Sequence, residues 1–162
     1  MLDHSQREAL GYTRHSGSIS VLGKGSSDLP TVDWPGILRE QKTPLSSLTP
    51  LNCMGLYSIH CYAIDGRLKQ HTDCVGEMEM TSGIILHCQN DLYLNSGGTL
   101  LRASAGDQFL LDPLMKHGAE TSGLLVFAAH DEDVKHLPSA PEARKAFLTA
   151  LREIANDYPR KS

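Results

Sequence analysis

The chain has 162 residues, of which 40% are hydrophobic and 21% are charged, and a formal net charge of -4. This size and composition predict one soluble globular domain with a single core, and the absence of a basic stripe argues against a nucleic-acid-binding protein. The first residues lack the apolar segment of a signal peptide, and no apolar run approaches the roughly 20 residues of a membrane helix. We therefore expect a cytoplasmic protein with four reduced cysteines and no membrane partner.

Residues 1–53 are predicted to form an irregular N-terminal arm with one short strand and one short helix. The apolar residues of segment 18–22 precede a turn-rich Gly/Ser stretch, which favours a strand. Asp33 and Pro35 have the positions of an N-cap and a first-turn proline, which favours a helix start.

From residue 54 onward the pattern of the chain changes. Short apolar runs alternate with turn signals such as Asp65-Gly66, Ser96-Gly97-Gly98 and Gly106-Asp107. This spacing is typical of an all-β sandwich or barrel and not of alternating β and α units. We predict a β-barrel over residues 54–130.

The last segment, residues 131–162, has a helical pattern. Ser139 and Glu142 form a capping box with Pro141 inside the first turn. Apolar residues then recur at helical spacing as far as Tyr158. We predict a helix over about residues 140–157 that lays one apolar face on the outside of the barrel.

Three polar residues of the barrel region suggest a metal site. His71 and Asp73 lie two residues apart, so they point to the same face of a strand. After the Gly106-Asp107 turn and an apolar run, His117 supplies a second imidazole. Two imidazoles and one carboxylate suit Fe(II), Mn(II), Ni(II) or Zn(II) and leave coordination positions open for chemistry.

Hairpin geometry extends this candidate site. If Asp65-Gly66 is a two-residue turn, His60 lies opposite His71 and Tyr62 lies opposite Lys69, all on one face. We therefore assign His60, Tyr62 and Lys69 as candidate catalytic residues that position substrate, with His60 as a further ligand or an orienting group. A single bulge would invert the register and leave the opposite face inside.

The residues resemble a known family. Segment 105–117, with its Gly-Asp turn, hydrophobic strand, Pro113 and His117, resembles the second motif of the cupin superfamily. His71-Thr-Asp73 resembles the first motif, with Asp in place of its second His. Glu77 stands near the motif's glutamate, although its spacing to Gly83 is one residue short. The resemblance covers about residues 54–130 and implies a double-stranded β-helix, which is a jelly-roll barrel with the metal inside one mouth.

The His-x-Asp…His pattern is also similar to the Fe(II)- and 2-oxoglutarate-dependent oxygenases, which share that barrel. This match implies His71, Asp73 and His117 as the ligands. Those enzymes carry an Arg or Lys beyond the last His that binds the cosubstrate carboxylate, and residues 121–129 contain neither. This departure argues against 2-oxoglutarate as a cosubstrate, unless Lys69 or Arg102 supplies the charge instead.

Two classes of function remain open at this point. One is a metal-dependent enzyme, which we expect to be an Fe(II) dioxygenase or hydroxylase of a small molecule, with a metal-dependent isomerase or lyase as the next interpretation. The other is a non-catalytic barrel that binds or senses a small ligand. The strand predicted at residues 18–22 would also allow a homodimer by pairing across an interface.

Overall fold

The computed structural model describes residues 2–41, 49–51, 59–73 and 75–157, with no side-chain description at 41 and 49–51. None of the helices in these ranges is long and apolar enough to cross a bilayer. The elements in chain order are α1 (His4–Ala9), β1 (Arg14–Ser16), β2 (Ile19–Leu22), α2 (Trp34–Gln41), β3 (Thr49–Leu51), β4 (His60–Asp65), β5 (Leu68–His71), β6 (Glu79–Cys88), β7 (Leu92–Ser96), β8 (Thr99–Ala103), β9 (Gln108–Leu111), β10 (His117–Glu120), β11 (Leu124–Asp133), a 3-10 helix (Val134–His136) and α3 (Ala140–Asp157).

The strands form two antiparallel sheets. The larger has the order β1-β2-β9-β6-β11-β4-β3, and the smaller has the order β5-β10-β7-β8. Without β1, β2 and β3, which extend the larger sheet at its two ends, the eight strands from β4 to β11 divide into two four-stranded sheets whose interleaved order is that of a jelly roll. The predicted all-β double-stranded β-helix with a C-terminal helix is therefore confirmed.

The larger sheet is buried on both faces. Along β11, Leu125 and Phe127 point into the core between the two sheets. The alternate residues Val126 and Ala128 belong to a second core, in which α2 and α3 cover the outer face of the sheet. Because side chains alternate along each strand, the inner face of the barrel is available for a site, while the helices bury the outward-facing side chains of the sheet.

Helix α3 begins and packs as its sequence predicts. The Ser139 amide donates to Glu142 Oε2 at 3.3 Å, and the Glu142 amide donates to Ser139 Oγ at 3.3 Å. Phe147, Leu151 and Ile154 are buried against the outer face of the larger sheet. Tyr158, the last residue of the predicted apolar face, lies outside the described residues.

The N-terminal segment joins the larger sheet. The predicted strand is β2, and the predicted helix is α2, where Asp33 Oδ1 accepts from the Gly36 amide at 3.1 Å. Strand β2 lies between β1 and β9 of its own chain. Our expectation that this strand is free to pair across a dimer interface is wrong, because both of its edges are already paired. The predicted start of the barrel at residue 54 lies outside the described residues.

The predicted hairpin at Asp65-Gly66 is wrong. Strand β4 pairs with β3 and β11, whereas β5 pairs with β10 in the other sheet. Gly66 has a positive φ of 98° and turns the chain from one sheet to the other. This crossing lets Ile64 and Leu68 pack in the same core between the sheets, which a hairpin with alternating faces would not allow. His60 therefore does not lie opposite His71; its neighbour across the ladder is Ala129.

A buried arginine links α3 to the barrel. Arg144 Nε donates to Asp28 Oδ2 at 2.8 Å, and its other nitrogens donate to the carbonyls of Gly106 (2.7 Å) and Gly25 (2.9 Å). Its side chain is 4% exposed, whereas that of Asp28 is 37% exposed. The hydrogen bond from Arg144 lowers the pKa of Asp28 from its usual 3.8 to about 2.

We expect Asp28→Asn to lower the free energy of unfolding by about 1 kcal/mol at pH 7, a value reduced from that of a buried charged hydrogen bond because Asp28 is partly exposed. Since the folded state lowers this pKa, the contribution is complete above about pH 4 and is lost as the pH falls towards 2. Chemical denaturation at pH 7 and pH 2.5 measures the difference.

The matched control is Asp91→Asn, which removes a carboxylate from the exposed pair with Arg102. Its effect should be close to zero at both pH values. Equal effects of the two substitutions at pH 7 would contradict a structural role for the Arg144–Asp28 pair.

Candidate metal centre

A cavity of about 300 Å³ lies between the two sheets. Aliphatic and aromatic side chains and one glycine form most of its described wall. The polar residues of the described lining are Tyr62, His71, Asp73, Thr81, His117 and Asp131. The cavity is thus a mostly apolar pocket with a few polar groups, which is the usual composition of a small-molecule site.

The three predicted ligands come together on one wall of this cavity. His71 ends β5, His117 begins β10, and the two residues are direct partners in the ladder between these strands. Asp73, in the loop after β5, places Oδ1 3.3 Å from His71 Nε2 and Oδ2 3.1 Å from His117 Nε2. One ligand atom from each residue lies within 4.8 Å of the others.

Two backbone carbonyls fix the orientation of the imidazoles. His71 Nδ1 donates to the Lys69 carbonyl at 2.8 Å, and His117 Nδ1 donates to the Met115 carbonyl at 2.8 Å. A carbonyl only accepts, so each ring carries a proton on Nδ1 and directs Nε2 towards the Asp73 carboxylate.

In the neutral form of both rings, the convergent atoms are two nitrogen lone pairs and a carboxylate. Three acceptors this close are stabilised by a cation, which is either a proton on Nε2 or a metal ion bound to all three. The set of two nitrogens and one oxygen fits a divalent transition metal, and the Nδ1 hydrogen bonds are those that commonly hold metal-bound histidines.

A β-bulge positions His71. His117 lies opposite His71, but Ala119 lies opposite Leu68, so Lys69 and Gln70 together face the single residue Gly118. A Cβ added at Gly118 would stand 2.5 Å from the Leu68 carbonyl oxygen. The bulge turns both Leu68 and His71 into the cavity and brings the Lys69 carbonyl to the imidazole.

The loop that carries Asp73 is tied to the loop before His117. The Asp73 amide donates to the Pro113 carbonyl at 2.8 Å. Asp112 is buried and its Oδ1 accepts from the Leu114 amide at 3.0 Å, which fixes the turn. The His117 side chain is 7% exposed, whereas that of Asp73 is 42% exposed. The three-residue group is therefore fixed at the back and open to solvent on one side.

The structure separates the three predicted catalytic residues. Tyr62 lines the cavity, and burial, together with the negative charges of Asp131 and Asp73, raises its pKa. Lys69 is exposed and does not line the cavity, because the bulge turns its side chain away from the face of His71. The predicted placement of Lys69 beside His71 is wrong. His60 is also exposed and does not line the cavity; its ring centroid lies 6.4 Å from that of Tyr62.

Two alternatives from the sequence have no support in the geometry. Glu77 is exposed and lies outside the three-residue group. Arg102 is on β8 and pairs with Asp91 at 3.3 Å on an exposed surface. Among the described lining residues of the cavity there is no Lys or Arg. A substitute for the missing carboxylate clamp is therefore absent from the described wall.

Two residues of the site, Thr81 and Asp131, were not predicted from the sequence. They are direct partners in the ladder between β6 and β11, and the Thr81 hydroxyl donates to Asp131 Oδ1. Both line the cavity from the larger sheet, across from the histidines of the smaller sheet. The alternation of Leu125, Phe127 and Ala129 continues to Asp131, and this was the available signal for an inward-facing carboxylate.

No protein-family model matches the chain, and no curated protein matches it in sequence. Its fold is similar to that of several solved cupins. A cupin-2 domain protein from Shewanella frigidimarina NCIMB 400 is 9% identical, over 67% of this chain and 99% of that chain, with a TM-score of 0.43. A cupin 2 domain-containing protein from Halorhodospira halophila is 12% identical, over 91% of this chain and 100% of that chain, with a TM-score of 0.43. A predicted oxalate decarboxylase from Thermotoga maritima is 16% identical, over 71% of this chain and 80% of that chain, with a TM-score of 0.38. These similarities concern the fold alone.

Proposed function

We propose that this protein is a metal-dependent enzyme of the cupin type, an Fe(II) dioxygenase or hydroxylase that acts on a small molecule. One observation carries the proposal: His71 Nε2, His117 Nε2 and the Asp73 carboxylate converge on the wall of an apolar cavity. Three protein ligands on one side leave open coordination positions, which suits a catalytic centre better than a closed structural one.

Each part of the site has a defined task in this proposal. His71, Asp73 and His117 would hold the metal, which would supply a binding position for O₂ or substrate and the electrons for oxygen activation. The Lys69 and Met115 carbonyls keep both imidazoles in the orientation that presents Nε2. The apolar walls exclude water around the bound substrate.

Tyr62 is the proposed positioning residue for the substrate. A phenol is protonated at neutral pH, and the raised pKa of Tyr62 reinforces this, so the hydroxyl would serve as a hydrogen-bond donor to the substrate. Iron is our proposed metal, and Mn(II), Ni(II) or Zn(II) suit the same donors. The reaction does not use 2-oxoglutarate in this proposal, since the described cavity wall has no lysine or arginine to bind its carboxylate.

The test uses Fe(II) and nitric oxide, which replaces O₂ as a probe of open positions. Protein loaded with Fe(II) without air should bind nitric oxide and give the electron paramagnetic resonance signal of a high-spin iron nitrosyl. His117→Ala should lose this signal. Wild-type protein that retains Fe(II) without binding nitric oxide would contradict an oxygen-activating site. Catalysis supported equally by Zn(II) and independent of O₂ would indicate an isomerase or lyase instead.

A second candidate is a non-catalytic barrel that binds or senses a small ligand. The observation that favours it is the lack of a basic clamp in an otherwise well-formed apolar cavity. Mass spectrometry of gently purified protein discriminates the two classes. A binding module retains one unchanged ligand in both wild type and His117→Ala. An enzyme converts its ligand to product in wild type but not in the variant.

A further inference from the structure

Besides its two histidines, the described lining of the cavity carries two carboxylates. At neutral pH, Asp73 and Asp131 are the carboxylates of its described lining, and no lysine or arginine accompanies them there. Asp73 belongs to the three-residue group on one wall. Asp131 belongs to β11 on the opposite wall, so its charge acts on the part of a ligand that points away from the group.

Asp131 is held in place by its neighbour. The hydroxyl of Thr81, which is 7% exposed, donates to Asp131 Oδ1. A carboxylate has about four lone-pair sites on two oxygens, so one hydroxyl donor leaves most of its accepting capacity unused. The carboxylate thus presents an oriented acceptor to whatever occupies the cavity.

The surroundings of Asp131 limit the ligands that fit. Phe109, Leu125 and Phe127 belong to the same sheet as Asp131 and supply apolar surface for the body of a small molecule. Asp131 is exposed to solvent where it lines the cavity, and a negative head group placed near it would meet like charge without a lysine or arginine in the described wall to offset it. An ammonium group or a hydroxyl would instead donate to the carboxylate, and the ammonium would gain a charge-assisted hydrogen bond.

We propose that Asp131, positioned by Thr81, is the specificity-determining residue of this cavity and selects ligands with an uncharged or cationic hydrogen-bond-donating head group on an apolar body. The proposal rests on the proposed function only for the reaction at the other end of the ligand, near the three-residue group. The selection itself is a property of the cavity wall and does not require the metal.

The experiment uses benzylamine, benzyl alcohol and benzoate, which share an aromatic ring and differ in the charge of the head group. Calorimetry measures their affinity for chelator-treated and for Zn(II)-loaded wild type, Asp131→Asn and Glu132→Gln. Glu132 is the matched control, because it neighbours Asp131 in β11 but pairs with His130 at 3.4 Å and does not line the cavity.

Benzylamine should bind chelator-treated wild type at least about 10-fold more tightly than benzoate, a ratio that corresponds to about 1.4 kcal/mol. Asp131→Asn should weaken benzylamine by about 10-fold and change benzyl alcohol by less than about 3-fold, in both metal states, as expected for the loss of one charge-assisted contact. Glu132→Gln should leave all three affinities unchanged. The order of affinities in wild type tests the proposal even if a variant fails to fold.

Failure of this proposal is distinct from failure of the proposed function. Benzoate binding to chelator-treated wild type as tightly as benzylamine, no detectable benzylamine binding, or equal effects of Asp131→Asn and Glu132→Gln would overturn the role of Asp131. A protein that binds no metal but keeps the benzylamine preference and its dependence on Asp131 would support the role of Asp131 while refuting the metal-dependent enzyme.

Discussion

His117→Ala is expected to reduce the affinity for divalent transition metals by more than about 100-fold, because even the loss of a group that only orients a ligand costs about 10- to 100-fold. The substitution removes one of the two Nε2 atoms that face Asp73. The two loops of the site remain tied by the hydrogen bond between Asp73 and Pro113, so the fold should be retained. Metal quantitation after dialysis and thermal melting with and without Zn(II) measure both effects.

The matched control for this experiment is His136→Ala. His136 is exposed in the 3-10 helix and lies outside the three-residue group. Metal content should be the same in this variant as in wild type. Undiminished metal binding by folded His117→Ala would show that the metal is bound elsewhere.

Gly118→Ala should damage the site through the backbone. The new Cβ would lie 2.5 Å from the Leu68 carbonyl oxygen and 3.1 Å from backbone atoms of Lys69 and Gln70, so strand β5 must move. We expect a loss of about 1–3 kcal/mol in the free energy of unfolding, as for overpacked interiors. Metal affinity should also fall by about 10- to 100-fold, because the Lys69 carbonyl that holds His71 is part of the displaced bulge.

Gly76→Ala is the control, since it adds the same methyl group to the loop after Asp73. Its Cβ would have its nearest contact at 3.7 Å, to the side chain of Glu79, which is an ordinary van der Waals distance. Stability should change by less than about 0.5 kcal/mol and metal affinity should not change. Equal metal affinity in the Gly118→Ala and Gly76→Ala variants would contradict the role of the bulge in orienting His71.

Local signals predicted β2, α2, α3 and the β-rich barrel, because local chemistry decides where elements start and stop, but they did not predict α1, β1 or β3 in the N-terminal arm. The Ser139–Glu142 capping box and the helical spacing after it depend only on neighbouring residues. The turn at Asp65-Gly66 was found at the right place, but its consequence was not. An Asp-Gly pair can close a hairpin or turn a corner between two sheets, because glycine readily adopts the positive φ that either turn uses. Whether the chain forms a hairpin or crosses between the sheets depends on pairing with the distant strands β10 and β11. The local sequence does not predict this pairing.

The residues of the candidate site also differ in how far local sequence could predict them. His71 and Asp73 were recognisable because their spacing is short, and His117 because of its motif. Lys69 was placed on the wrong face because a bulge opposite Gly118 breaks strict alternation, and the sequence alone gives no sign of which residue a bulge will skip. Asp131 was missed although the alternation of β11 leads to it. The role of Asp131 in the cavity depends on Thr81 and on the facing sheet. These become neighbours of Asp131 only in the folded chain.

The most direct test of the central claim is an anomalous-scattering map from crystals of the full chain soaked with Co(II) or Mn(II). The account predicts one strong peak per chain, within about 2.0–2.2 Å of His71 Nε2, His117 Nε2 and an Asp73 carboxylate oxygen, which are the usual lengths of such bonds. The same peak should be absent from His117→Ala crystals. A well-ordered map with no peak at these three residues, or with the metal bound at other side chains, would contradict the account.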